Sequence, residues 1–146
     1  MVELATLSYL IAIVSGWVLA HVIKYAIDVA KRPPQTKREK IFRSGGMPSA
    51  HVMTAASLWT VILLKDGVTS GLFGVMSLFI LIVAHDAVRV RRSSGEQGAA
   101  LTALIDESKS KIPHPIVAKG HTVLEVAVGW ALGILVGLGV FYALGA

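Results

Sequence analysis

The chain has no cysteine, which excludes disulfides and thiolate metal sites. It is also short of charge. Asp, Glu, Lys and Arg make up 16% of its 146 residues, where a soluble domain carries about a quarter. Hydrophobic residues supply 54% and the mean hydropathy is +0.68, so the chain reads as one domain inside a bilayer. Acid is scarcer than base, nine residues against 14, for a net charge of +5. In a soluble protein that excess would point to nucleic acid. Beside apolar spans it points to membrane topology and anionic lipid headgroups, and no nucleic-acid partner is expected. The first apolar segment lacks a preceding basic stretch. Lys24 and Asp28 stand where a small-residue cleavage site would follow, so a retained helix is expected rather than a signal peptide.

Four apolar runs are each long enough to cross about 30 Å of hydrocarbon. They extend from Leu4 to about Ile27, Met47 to about Leu64, Ser70 to about Val88, and His121 to about Leu144. Lys31 to Arg43 is a polar loop in which Pro33-Pro34 stops any helix. Lys65-Asp66-Gly67 is a short turn. Gly95 to Lys111 reads as an amphipathic surface helix with Leu101, Leu104 and Ile105 as its apolar stripe, ended by Pro113 and Pro115. The expected fold is therefore all-α, an integral membrane bundle of about four transmembrane helices plus a short surface helix. Gly129, Gly133 and Gly137 recur every fourth residue of the last span. Such a stripe allows close helix–helix contact, first of all inside the bundle and alternatively with a second copy as a homo-oligomer.

Of the 14 Lys and Arg, 12 lie in the loops after spans one and three, and only Lys65 lies on the opposite side. The positive-inside rule then places both large loops in the cytoplasm and both termini outside, in a multi-pass protein of the cell membrane.

The polar residues gather at that same edge. Ser44-Gly45-Gly46-Met47-Pro48-Ser49-Ala50-His51 is a glycine-rich turn that delivers a histidine onto the first turn of span two. Ser44 or Ser49 is the expected cap, and free N–H groups at such a turn suit an anion. An up-down bundle brings this turn beside Lys24, Lys31 and Arg32 at the end of span one. Asp86, Arg91 and Arg92 at the end of span three, and His121 and Glu125 at the start of span four, reach the same level. His121 and Glu125 are four apart and share a helix face. A carboxylate on one ring nitrogen fixes the tautomer and frees the other nitrogen to attack. His51 can protonate a leaving group, and the cations can hold a phosphate. The same spacing could bind a metal, with Asp86 as third ligand.

Pro48-Ser49-Ala50-His51 resembles the Pro-Ser-Gly-His motif of the type 2 phosphatidic acid phosphatase superfamily, which includes the vanadium haloperoxidases. His121-x-x-x-Glu125-Val126-x-x-Gly129 resembles its final His-x-x-x-Asp motif. Together with Asp86-Ala87-x-x-Val90-Arg91-Arg92-x-x-Gly95-x-Gln97, these are most similar to the divergent, small membrane branch of that superfamily. The resemblance implies His121 as nucleophile, Glu125 orienting it and His51 protonating the leaving alcohol. It implies that Lys24, Arg32 and the backbone around Ser49 hold the phosphate, with no metal or cofactor. The superfamily's first motif is Lys-x6-Arg-Pro. Here Lys31 falls on the arginine position and Arg32-Pro33 comes one step late. The arginine six residues before the final histidine is Pro115, so Arg91 or Arg92 is the candidate replacement, with Asp86 positioning a cation or a metal. The expected activity is hydrolysis of a lipid phosphomonoester at the cytoplasmic face, of the phosphatidylglycerol phosphate or phosphatidic acid type. The alternatives are a non-catalytic lipid-binding or scaffold protein and a metal-dependent membrane hydrolase.

Overall fold

Helix α2, Ala50–Asp66, is the centre of the molecule, and its composition explains why. Alanine, serine and threonine at Ala50, Ala55, Ala56, Ser57 and Thr60 keep it thin, and all five are buried, as are Val52, Met53, Val61 and Ile62. The computed structural model describes residues 2–31, 46–115, 117 and 120–145, with the side chains of residues 7–30 in the first helix. Around α2 stand α1 (Val2–Lys31), α3 (Gly71–His85) and α5 (Val123–Leu144). Among the described residues there is no strand.

Three of the helical stretches are long and apolar enough to cross a membrane: Leu7–Ala30, Gly71–Glu107 and Val123–Leu144. At 17 residues, about 25 Å of rise, α2 is shorter than any of these three stretches and packs against α1, α3 and α5. The outer helices turn their large apolar side chains outward. Val14, Trp17 and Val22 on α1, Val75, Leu78 and Leu81 on α3, and Leu135 on α5 are all more than half exposed. Bulk hydrophobics on the outside and small residues at the centre are what a bilayer solvent requires, since lipid supplies no hydrophobic force to bury leucine.

Glycine sets the spacing. A Cβ added at Gly129 would lie 2.9 Å from the Ser49 carbonyl oxygen, one at Gly137 2.6 Å from that of Ser57, and one at Gly133 2.5 Å from Ala56 Cβ. The stripe is thus filled by α2, and the face considered for a second copy is occupied within the chain. From the other side Gly16 of α1 meets α2, where its Cβ would lie 3.0 Å from Ser57 Cβ. Direct interhelical hydrogen bonds complete the seams. Ser57 Oγ donates to the Ala12 carbonyl at 2.8 Å, and Trp59 Nε1 donates to Ser77 Oγ at 2.9 Å.

Two boundaries differ from expectation. The third span and the surface helix are one continuous helical stretch, Gly71–Glu107. No proline interrupts residues 88–95, and Gly95 alone costs only about 1 kcal/mol. The stretch passes through a π-helical turn, Asp86–Val90, before continuing as α4, Arg91–Glu107. Of its expected apolar stripe only Ile105 is buried, while Leu101 and Leu104 are exposed. The helix ends at Glu107, ahead of the prolines. Lys109 adopts φ 50°, and Ser110 N–H and Lys109 N–H donate to the carbonyls of Ile105 and Asp106, a Schellman closure. The second difference is at α5, which begins at Val123, so His121 lies just outside the helix.

The bundle edge opposite the polar cluster carries polar contacts of its own. Tyr9 OH donates to Asp66 Oδ2 at 2.6 Å and Lys65 Nζ donates to Ser8 Oγ at 2.9 Å, tying the start of α1 to the end of α2.

Filling the seam is expected to be costly. Gly133→Val should destabilise the protein by at least about 1–3 kcal/mol, as overpacking does. Gly74→Ala on α3, where a Cβ meets nothing within 4 Å, should change stability by no more than about 0.5 kcal/mol. Unfolding in detergent micelles, followed by circular dichroism, reads the difference.

Candidate functional site

His121 is fixed from three directions. Its backbone N–H donates to the Ala87 carbonyl at 2.9 Å. That carbonyl is available because of the π-turn: Arg91 N–H, which in an α-helix would bond Ala87, reaches back to Asp86 instead. Its side chain packs inward and is only 7% exposed. Its Nδ1 pairs with Glu125 Oε2 at 3.1 Å. A carboxylate only accepts, so Nδ1 carries the proton and Nε2 keeps a free lone pair.

Glu125 is itself held by a capping box. Thr122 Oγ1 accepts from Glu125 N–H at 3.2 Å, and Glu125 Oε2 accepts from Thr122 N–H at 3.0 Å. The expected His121–Glu125 pairing therefore exists, but the helix cap makes it rather than a shared helix face. Thr122 was not among the expected site residues. The signal for it was present as Thr122-x-x-Glu125 ahead of an apolar run.

The turn before α2 meets this structure directly. Ser49 N–H donates to the Glu125 carbonyl at 3.2 Å, and Gly129 admits Ser49 to the surface of α5. Ser49 occupies the N-cap position of α2, yet its side chain caps nothing. Its Oγ is buried without a hydrogen-bond partner, an unusual state for a hydroxyl. The other proposed cap, Ser44, lies outside the described residues. Gly46 has φ 87°, a conformation that favours glycine, and it rests against Lys24, 3.5 Å from the lysine Cε to a built Cβ.

His51, the second residue of α2, is exposed and stands in the electrostatic field of Arg91, His121, Lys24 and Asp86. Lys24 in turn interacts with Glu125 and Asp28. Helix ends that are far apart in sequence thus converge on one locus: Lys24, Ser49, His51, Asp86, Arg91, His121 and Glu125. The two arginines separate here. Arg91 Nε is 2.7 Å from Asp86 Oδ2 and faces the locus, whereas Arg92 turns to Glu96 at 3.1 Å on an exposed surface. Arg92 is thus not brought to the site. Lys31 is the last residue of α1, and Arg32 lies outside the described residues. Among the described residues no group of three or more His, Cys, Asp or Glu side chains is arranged to hold a metal ion. Of the three residues in the metal reading, Asp86 pairs with Arg91, and Glu125 accepts from the Thr122 amide as well as pairing with His121.

With this geometry in place, comparison with known proteins is decisive on one point. A family profile described as "Divergent PAP2 family" matches residues 6–136. The chain belongs to the divergent PAP2 family. "Uncharacterized membrane protein YuiD" of Bacillus subtilis (strain 168) is 30% identical over 158 residues, covering 96% of this chain and 98% of the relative. No solved structure matches the chain. The family and the helices together make this a multi-pass membrane protein, and the PAP2-like motifs are the residues that converge at one edge of it.

Burial pushes the His121 imidazole below its ordinary pKa, and the Glu125 hydrogen bond opposes that shift without cancelling it. His121 should therefore be neutral at pH 7. Its NMR titration midpoint is expected below the free value of about 6.5. Glu125→Gln, by removing the charge that raises it, should move the midpoint further down.

Proposed function

We propose that this protein is a membrane phosphatase that hydrolyses a lipid phosphomonoester through a phosphohistidine. The observation that carries the proposal is the His121 imidazole, buried and anchored at Nδ1 by Glu125 3.1 Å away. Its Nε2 attacks phosphorus in line, and the P–O bond to the lipid alcohol breaks. His51 gives that alcohol its proton and then takes one from the water that cleaves the N–P bond. As negative charge spreads over the phosphoryl oxygens, Lys24 and Arg91 stand nearest to offset it. Asp86 fixes the guanidinium of Arg91, which serves here in place of the arginine that Pro115 replaces. Helix α2 presents its N-terminal end to the same charge, and the unpartnered Ser49 hydroxyl lies at that end.

The distribution of lysine and arginine supports a cytoplasmic site, with both termini outside. That orientation favours substrates made in the inner leaflet, phosphatidylglycerol phosphate or phosphatidic acid, over external isoprenyl diphosphates. The chain has no native cysteine, so single cysteines report sidedness without background. A cysteine at Pro33 should be shielded from an impermeant maleimide in intact cells, and one at Gly67 should react. The reverse pattern would place the site outside.

Purified protein should release phosphate from one of these lipids in the presence of chelator. His121→Ala should abolish release, by a factor of at least about 1,000. Arg91→Ala should lower kcat/KM by roughly 100-fold or more, and Arg92→Ala by less than about threefold. Equal losses at the two arginines would refute the assignment of Arg91. The Pro115 position favours one other reading, a lipid-binding protein without turnover. Folded protein that binds these lipids and releases no phosphate would establish it.

A further inference from the structure

A groove of about 550 Å³ runs along the outside of the bundle between α1 and α5. One wall is built from α1 residues four apart, including Ile11, Ser15 and Ile23, and the other from α5 residues, including Leu132 and Gly139. Met53 of α2 forms its floor. The lining is almost wholly apolar. The groove is open at Gly139, where a Cβ would meet nothing within 4 Å, unlike the three glycines of the α2 seam.

Two features say what belongs in it. First, the groove ends at the polar cluster. Ile23 precedes Lys24, and Ile23 and Leu132 pack over Ala50 and Met53, directly beside Ser49 and His51. Second, it is long enough for an extended acyl chain, running from Ile23 beside Lys24 to Ile11, close to Tyr9 at the opposite edge of the bundle. From Ile11 to Ile23 the helix rises about 18 Å. An amphiphile with its phosphate among Lys24, Arg91 and His121 would carry its chain along this groove towards the opposite edge of the bundle.

We propose that the groove between α1 and α5 binds one acyl chain of the lipid whose phosphate occupies the Lys24–His51–His121 cluster. The inference rests on the reading of that cluster as a phosphate site, and it adds that the substrate is selected by a long alkyl chain as well as by its phosphate.

The probe is phosphatidic acid with a diazirine at the far end of one acyl chain, added to the full chain in phosphatidylcholine nanodiscs. His121→Ala serves as background so that the probe is not consumed. After photolysis, adducts mapped by mass spectrometry are expected at the deep end of the groove, around Ile11 and Ser15 on α1 and Gly139 to Leu144 on α5. Gly139→Leu should reduce them about tenfold. Gly74→Leu, at an equally open glycine on α3, should leave them unchanged. Leu135→Trp, at a lining position 63% exposed, is a second filling variant should Gly139→Leu fail to fold. The diacylglycerol form of the probe should show no preference for the groove.

Adducts spread evenly over the exposed faces of α1 and α3, or unaffected by either filling variant, would reduce the groove to ordinary annular lipid and overturn the proposal. Cross-links between two copies through the groove would overturn it equally. Labelling needs no turnover, so the two readings fail separately. Groove adducts without phosphate release from native protein would sink the phosphatase reading alone. Phosphate release with scattered adducts would sink the groove alone.

Discussion

The close approach of α2 and α5 is the constraint on which the rest depends. Three glycines at helical spacing let the backbone of α5 lie against Ser49, Met53, Ala56 and Ser57, where any side chain would collide. Dispersion and backbone contact can then operate without bulky side chains between the helices, which is how helices associate in lipid. The seam also fixes register. With Gly129 on Ser49, the Ser49 amide reaches the Glu125 carbonyl, and the first turn of α2 meets the first turn of α5. His51 and His121 face one locus because those two helix ends are locked together.

A second departure from regular helix completes the site. The π-turn at Asp86–Val90 shifts the hydrogen-bond ladder so that the Ala87 carbonyl is left for the His121 amide, and it places Arg91 back over Asp86. Immediately before His121, Gly120 crosses so close to Arg92 that a Cβ would fall 2.5 Å from the Arg92 amide. The segment between α4 and α5 is thus pinned to the π-turn at one point, and the histidine is delivered there. Irregular backbone at the edge of a membrane helix survives where its polar groups are met by protein, and these are.

Much of this was legible in the sequence. Apolar runs gave the order of the described helices, and the up-down arrangement brought Lys24, His51, Asp86, His121 and Glu125 to one edge. What hydropathy could not rank was centrality. All four runs are apolar, and only the small residues of α2 and the bulk of α3 mark which is inside. The π-turn has no compositional signature, so the third span was expected to stop near Val88. The same blindness left Arg91 and Arg92 equivalent until Asp86 and Glu96 separated them. His121 was expected on the helix because four-residue spacing fits a helix face, but a capping box can hold a residue just outside the helix against the same carboxylate.

The most direct test of the account is the fate of the phosphoryl group. Native protein turning over a phosphatidic acid with labelled phosphate should be quenched at alkaline pH, where a phosphohistidine survives, and the label located by mass spectrometry. The account predicts label on His121, together with retention of configuration at phosphorus from two successive in-line displacements. Label on another residue, or inversion at phosphorus, would contradict it.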